Sequence, residues 1–151
     1  MQRKGGVAAP AKNPATMPST DTVIRVVSLC VVLAGAETLH GIARTVLVVP
    51  RLGKALALRL SIVSGTLLAF TICWLLVPDI GLRGWGPHLA LGAVLAAFMA
   101  SFDILLGRFL LRRSWAKAFS DFDPRTGNLL VFGLAALVTV PAVVAWLRGL
   151  A

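Results

Sequence analysis

Charge is scarce in this chain. Of its 151 residues 14% are Asp, Glu, Lys or Arg, against 58% hydrophobic, and mean hydropathy is +0.86. A soluble domain of ordinary composition carries about a quarter charged residues, so that class is excluded first. Cysteine is limited to Cys30 and Cys73, with no CxxC and no histidine beside either, which points to small buried hydrophobes and away from a metal site. No HExxH or DxD-type cluster occurs, and Ser61, Ser64 and Thr66 have no acid or histidine singled out for them by sequence, so no catalytic residue is assigned. The net charge of +9 comes without the aromatic interleaving or fold signature of a nucleic-acid reader.

What is present is apolar length. Four runs, about 22 to 43, 60 to 77, 88 to 107 and 128 to 147, each approach the ~20 residues that cross roughly 30 Å of hydrocarbon. They are continuous rather than alternating, so helices are predicted and barrel strands are not. The predicted fold class is an all-α integral membrane protein with four transmembrane helices, built as two tandem helical hairpins over 21–77 and 87–148. Residues 1–20 mix Pro, Gly, Ala, Ser and Thr without apolar periodicity and predict a disordered tail. No apolar h-region follows Arg3 and Lys4, so a cleaved signal peptide is not expected. Pro78 is expected to end the second helix, Pro87 and the pair Asp123–Pro124 to open the third and fourth, and Pro141 to bend the fourth.

Lys and Arg in the connections predict the orientation. Arg44, Arg51, Lys54 and Arg59 belong to the first, Arg108, Arg112, Arg113, Lys117 and Arg125 to the third, and Arg83 alone to the second. Both basic loops are therefore expected in the cytoplasm and both termini outside, in a membrane of the bacterial inner (cytoplasmic) type. Arg3, Lys4 and Lys12 pull the other way. Arg51, Lys54, Arg112, Arg113 and Lys117 are expected to contact anionic lipid headgroups, at roughly 1 kcal/mol per cation near the surface. Trp115, Phe119 and Phe122 fall on one helical face, the pattern of a short helix lying in the interface.

Inside the first run, Gly35–Arg44 reads GAETLHGIAR and sets a carboxylate, an imidazole and a guanidinium among apolar residues. A displacement of 66 residues superposes Glu37 on Asp103, Gly41 on Gly107, Arg51 on Lys117 and Arg59 on Arg125 without a gap, which reads as an internal repeat. Each unit has two spans, so the copies share one orientation, and a twofold about the membrane normal is expected to relate them. Cys30, Ala34, Glu37, Gly41 and Arg44 share a helical stripe, as do Gly92, Ala96, Ala100, Asp103 and Gly107. Small residues on such stripes let helices approach closely in lipid, which would point both acids into seams.

The expected intramembrane acid-base layer is Glu37, His40, Arg44, Arg59, Asp103, Arg108 and Arg125, with the acids paired to Arg59 and Arg125. His88 reads as an interfacial residue beside Trp85, too far from His40 to share an iron, so neither metal nor cofactor is expected. The function expected from this layer is that of a non-enzymatic accessory, assembly or scaffold component of a larger membrane system. The alternative is a small proton- or cation-coupled transporter using Glu37 and Asp103, with His40 as a relay. Partners are the bilayer, a second copy or other membrane subunits, and no nucleic acid.

Overall fold

The computed structural model describes residues 19–110, 112, 114–116, 123, 125 and 130–151; the expected tail up to residue 18 lies outside them. Regular structure among the described residues is entirely helical. Four helices, α1 (Thr20–Leu52), α2 (Lys54–Ile80), α3 (Trp85–Phe109) and α4 (Leu130–Leu147), are each long and apolar enough to cross a membrane.

Ser19 caps α1, its Oγ accepting the Thr22 N–H at 3.2 Å, and Asp21 sits in the first turn, where the helix dipole favours a negative charge. The helix does not stop near Arg44. It continues through a π-helical turn, Arg44–Val48, and a last α-helical turn, Val49–Leu52. The wide turn lies just ahead of Pro50, whose ring and missing N–H an uninterrupted α-helix would not accept. Gly53 then ends it at φ 77° and ψ 161°, backbone that only glycine enters easily, and α2 starts at the next residue. The expected loop around 44–59 is thus nearly all helix.

Pro78 does not end α2, which runs on to Ile80 and stops at Gly81, φ 78°. A proline inside a helix orphans the carbonyl four residues back, here that of Trp74. Arg148, just past α4, supplies the missing donor: its Nη2 lies 3.0 Å from Trp74 O and its guanidinium 4.2 Å from the Trp74 ring centroid. The adjacent Asp79 O accepts from Arg25 Nη1 at 2.6 Å. Pro141 lies within α4 as expected and is buried. Asp123 Oδ1 accepts the Arg125 N–H at 2.9 Å, a capping contact, while Pro124 and residues 126–129 are outside the described set.

The most extensive seam is between α3 and α4, followed by α1 with α2 and α2 with α4; α1 also touches α3 along a lesser seam. At Gly92 the α3–α4 approach is so close that a Cβ would fall 2.0 Å from Val138 O. The pairs α1–α4 and α2–α3 scarcely meet. A twofold along the normal that exchanged the hairpins could not bring both like pairs, α1–α3 and α2–α4, into contact and hold both unlike pairs apart. The expected symmetry is therefore not the one by which the helices pack.

The apolar core is one-sided. It gathers Leu29 and Leu33 of α1, Cys73 and Val77 of α2, Leu95 of α3 and Val144 of α4, all toward the end where α2 passes to α3 at Gly84. Cys30 and Cys73 are both free and buried in this core. Toward the other end, at Gly53, few side chains are buried, Ala57 among them. Glu37 lies where the packed half gives way to the open half.

Candidate functional site

α1 and α2 form an antiparallel pair pivoting on Gly53, and their register brings five polar side chains of the first run and its partner helix together. His40 Nε2 lies 2.8 Å from Ser64 Oγ. Arg44 Nη1 donates to Ser61 Oγ at 3.3 Å. Glu37 Oε2 stands 3.6 Å from His40 Nδ1 and 3.4 Å from the point where Gly65 would carry a Cβ. Helical spacing produces the set: 37, 40 and 44 lie on one face of α1, and 61, 64 and 65 on the facing side of α2. Glycine at 65 leaves the carboxylate room.

Hydrogen-bond bookkeeping limits the states of this chain of groups. Ser64 Oγ is 3.0 Å from Leu60 O, which can only accept. With the hydroxyl proton directed there, Ser64 accepts from His40 Nε2–H, and the Nδ1 of a neutral ring then turns a lone pair toward Glu37. In the other tautomer Ser64 donates to Nε2 and Nδ1–H faces the carboxylate. In the first arrangement a proton passing from Glu37 to Nδ1 leaves an imidazolium beside a carboxylate, and loss of the Nε2 proton from that ring gives the second; no step requires a backbone change.

Asp103, on α3, is half-buried, and its charge acts on Glu37, as does that of Arg44. The two acids, which a displacement of 66 residues superposes in the sequence, thus feel each other's charge across the α1–α3 seam. Arg59 and Arg125 are the arginines expected to pair with them. Arg59 is exposed at the start of α2, and among the described residues the carboxylate of Glu37 has its ion-pair contact with His40. Arg125 is also exposed. A long side chain near a helix end keeps its charge in the interface, which explains both positions. Arg108 is half-buried, with its guanidinium 5.6 Å from the Trp115 ring centroid, a cation–π geometry.

Arg51, Lys54 and Arg112 are exposed, whereas Arg113, Lys117, Phe119 and Phe122 lie outside the described residues. His88 departs from its expected interfacial place: it is fully buried. No group of three or more His, Cys, Asp or Glu capable of holding a metal occurs among the described residues.

Ser61, Ser64 and Gly65 are site residues that sequence reasoning passed over. The signal was present in LSIVSGT, where two hydroxyls three apart and a glycine interrupt an apolar span. The order carboxylate, imidazole, hydroxyl is formally that of an activated serine. Ser64, however, lies in a helix interior where backbone N–H groups are committed to the i→i−4 ladder, so no pair of backbone donors faces an oxyanion there. What the arrangement offers chemically is proton exchange. No protein-family model matches the chain, and the searches of curated proteins and of solved structures gave no match either.

Proposed function

We propose that this protein is a small proton-coupled membrane carrier in which Glu37 and Asp103 take up and release protons and His40 relays them. The observation that carries the reading is the neighbourhood of Glu37: a histidine nitrogen at 3.6 Å and a second acid across the seam, with the charge of Arg44 also acting on it. A permanent ion pair would fix the hairpins; an acid facing a titratable ring and another acid is suited to changing its charge. The position of the cluster, where the buried core of the described residues ends, supports access to it from the Gly53 end rather than from the Gly84 end. Positive-inside asymmetry supports a Gly53 end in the cytoplasm of a bacterial inner membrane and both termini outside. The two hairpins are read as copies of one unit, which makes Asp103 the second instance of Glu37. Infrared titration of the reconstituted protein tests this. A carboxylic-acid band that grows between alkaline and mildly acidic pH and shrinks in Glu37→Gln and Asp103→Asn is the expected result. Carboxylates that stay ionised across that range would remove the carrier reading.

A second reading, an accessory or assembly subunit of a larger membrane system, draws on one observation. The Gly53 half of α1 exposes Leu39, Ile42, Val46 and Leu47, and the described residues cover little of it. Extraction in mild detergent discriminates: a subunit of defined stoichiometry retained on this half supports the accessory role, and a carrier runs as a monomer or homodimer.

A further inference from the structure

His88 is a buried ionisable side chain that the Glu37 cluster does not use. It lies in the first turn of α3 and is 0% exposed. Its Nδ1 is 2.7 Å from Gly84 O. A carbonyl only accepts, so Nδ1 carries the ring proton and, in the neutral ring, Nε2 holds a lone pair. Nε2 is buried and has no hydrogen-bond partner among the described residues. Gly84, which holds the ring through its carbonyl, also donates its own N–H to Leu150 O at 2.9 Å. Its backbone stands at φ 87° and ψ 161°, in the glycine-only region that Gly53 occupies at the opposite end. Two residues before Leu150, Arg148 is fastened to Trp74. The His88 ring, the 81–84 connection and the C-terminus therefore form one mechanical unit that closes this end of the bundle.

We propose that His88 is a second proton-binding site, and that a proton taken up at Nε2 releases the Gly84–Leu150 latch and opens the Gly84 end. In the latched arrangement that proton meets no acceptor among the described residues. α4 carries no ionisable residue between Leu130 and Leu147, and within α3 the other ionisable residues, Asp103 and Arg108, lie near its far end. On α1, Asp21 and Arg25 are paired to each other at 2.8 Å and exposed. Asp79 of α2, Arg83 of the connection and Arg148 after α4 are exposed, two of the three being cations. Water is the remaining acceptor for Nε2–H, and the ring reaches it when the first turn of α3 swings outward. Gly81 and Gly84, both at positive φ, are the hinge positions that permit the swing. The step is balanced: a proton from the aqueous phase adds to the Nε2 lone pair, and its release restores the neutral ring and the latch. The inference rests on the carrier reading in supplying the sealed end with the protonation that alternating access requires, while the response of His88 itself does not depend on Glu37.

Amide hydrogen exchange of the full-length protein in lipid nanodiscs tests it, followed in peptides covering 80–90 and 147–151 and corrected for the intrinsic pH dependence of exchange. Acidification should raise exchange in both segments by about tenfold, the size of one net hydrogen bond lost. The rise should vanish in His88→Gln and persist in Glu37→Gln. Gly84→Ala, which strains the latch, should exchange fast at every pH. Unchanged wild-type exchange on acidification, or an equal rise in His88→Gln, overturns the proposal. Should His88→Gln fail to fold, nitrogen NMR of the wild-type ring decides instead: Nε2 must gain its proton over the same pH range as the rise, and a ring that stays neutral overturns the latch. A flat infrared titration at Glu37 with the His88 response intact would remove the carrier and leave the latch; the reverse outcome would remove the latch alone.

Discussion

Two glycines in this bundle face helix neighbours at very different distances, and the difference predicts opposite outcomes for one substitution. At Gly92 a methyl group would lie 2.0 Å from Val138 O, a backbone atom that cannot step aside. Gly92→Ala should therefore lower the melting temperature in detergent, with a loss of about 1–3 kcal/mol from overpacking at the α3–α4 seam. At Gly65 the nearest atoms are Glu37 Oε2 at 3.4 Å and His40 Cε1 at 3.5 Å, ordinary contacts with side chains. Gly65→Ala should fold, gaining up to roughly 1 kcal/mol in helix propensity. A Gly65→Ala protein less stable than Gly92→Ala would mean that the two seams have been exchanged in importance. The hydroxyl of Ser64 gives a third test at this scale. Removing it in Ser64→Ala should cost about 0.5–1.5 kcal/mol and shift the ring-nitrogen resonances of His40, because the partner at 2.8 Å disappears. Resonances indifferent to the change would deny that hydrogen bond.

At the scale of helices, the arrangement at Pro78 links two elements distant in sequence. Its ring leaves Trp74 O without a helical donor, and Arg148 Nη2 fills the gap at 3.0 Å. Arg148→Ala should lower stability by about 1–2 kcal/mol, the sum of a charge-assisted hydrogen bond and a cation–π contact partly offset by hydration. In a Pro78→Ala background residue 78 has its own N–H, Trp74 O regains a helical partner, and the same Arg148→Ala change should cost distinctly less. Additive melting-temperature losses in the four-membered cycle would show that Trp74 O does not depend on Arg148. Such a contact explains why the elements were legible in the sequence while their ends were not. The apolar runs gave the four spans because hydrocarbon thickness fixes the length needed. Helix ends depend on what replaces a lost donor or covers an exposed turn, and that is tertiary: Arg148 for Pro78, a π turn for Pro50. His88 beside Trp85 reads as interfacial from its neighbours in sequence, yet it is the helical face turned to the core that buries it. The acids stood out because charge in an apolar run is rare. The hydroxyls beside them did not: Arg59 and Arg125 match across the 66-residue displacement, while Ser61 and Ser64, the partners of Arg44 and His40, are ordinary residues in any membrane helix.

For the molecule as a whole, the decisive asymmetry is between its two ends. From Arg25 to Arg44 is 19 residues, about 28 Å of helix, close to the hydrocarbon thickness. On that scale Glu37 lies about 10 Å from the level of Arg44. The remaining turns of α1, to Leu52, then reach into the basic interface with Arg51 and Lys54, where anionic headgroups would hold them. Cysteines introduced one at a time, in a background lacking Cys30 and Cys73, test both the orientation and the one-sided packing. Lys54→Cys should be protected from an impermeant thiol reagent applied outside intact cells and react once the cytoplasmic face is opened. Arg83→Cys, in the exposed second connection, should react from outside; it is a better reporter than Gly84, whose positive φ a cysteine would strain. The reverse labelling pattern would invert the orientation. Ser61→Cys and Ser64→Cys then probe the open half: they should react from the Lys54 side, faster than Leu95→Cys or Val77→Cys in the packed core, which should resist reagent from either side while the Gly84 latch is closed. Acid that opened the latch should render Val77→Cys reactive from the Arg83 side without changing the reactivity of Ser64→Cys from the other. Equal reactivity of all four positions would describe a bundle with no sealed end, and neither a carrier nor a latch could be built on it.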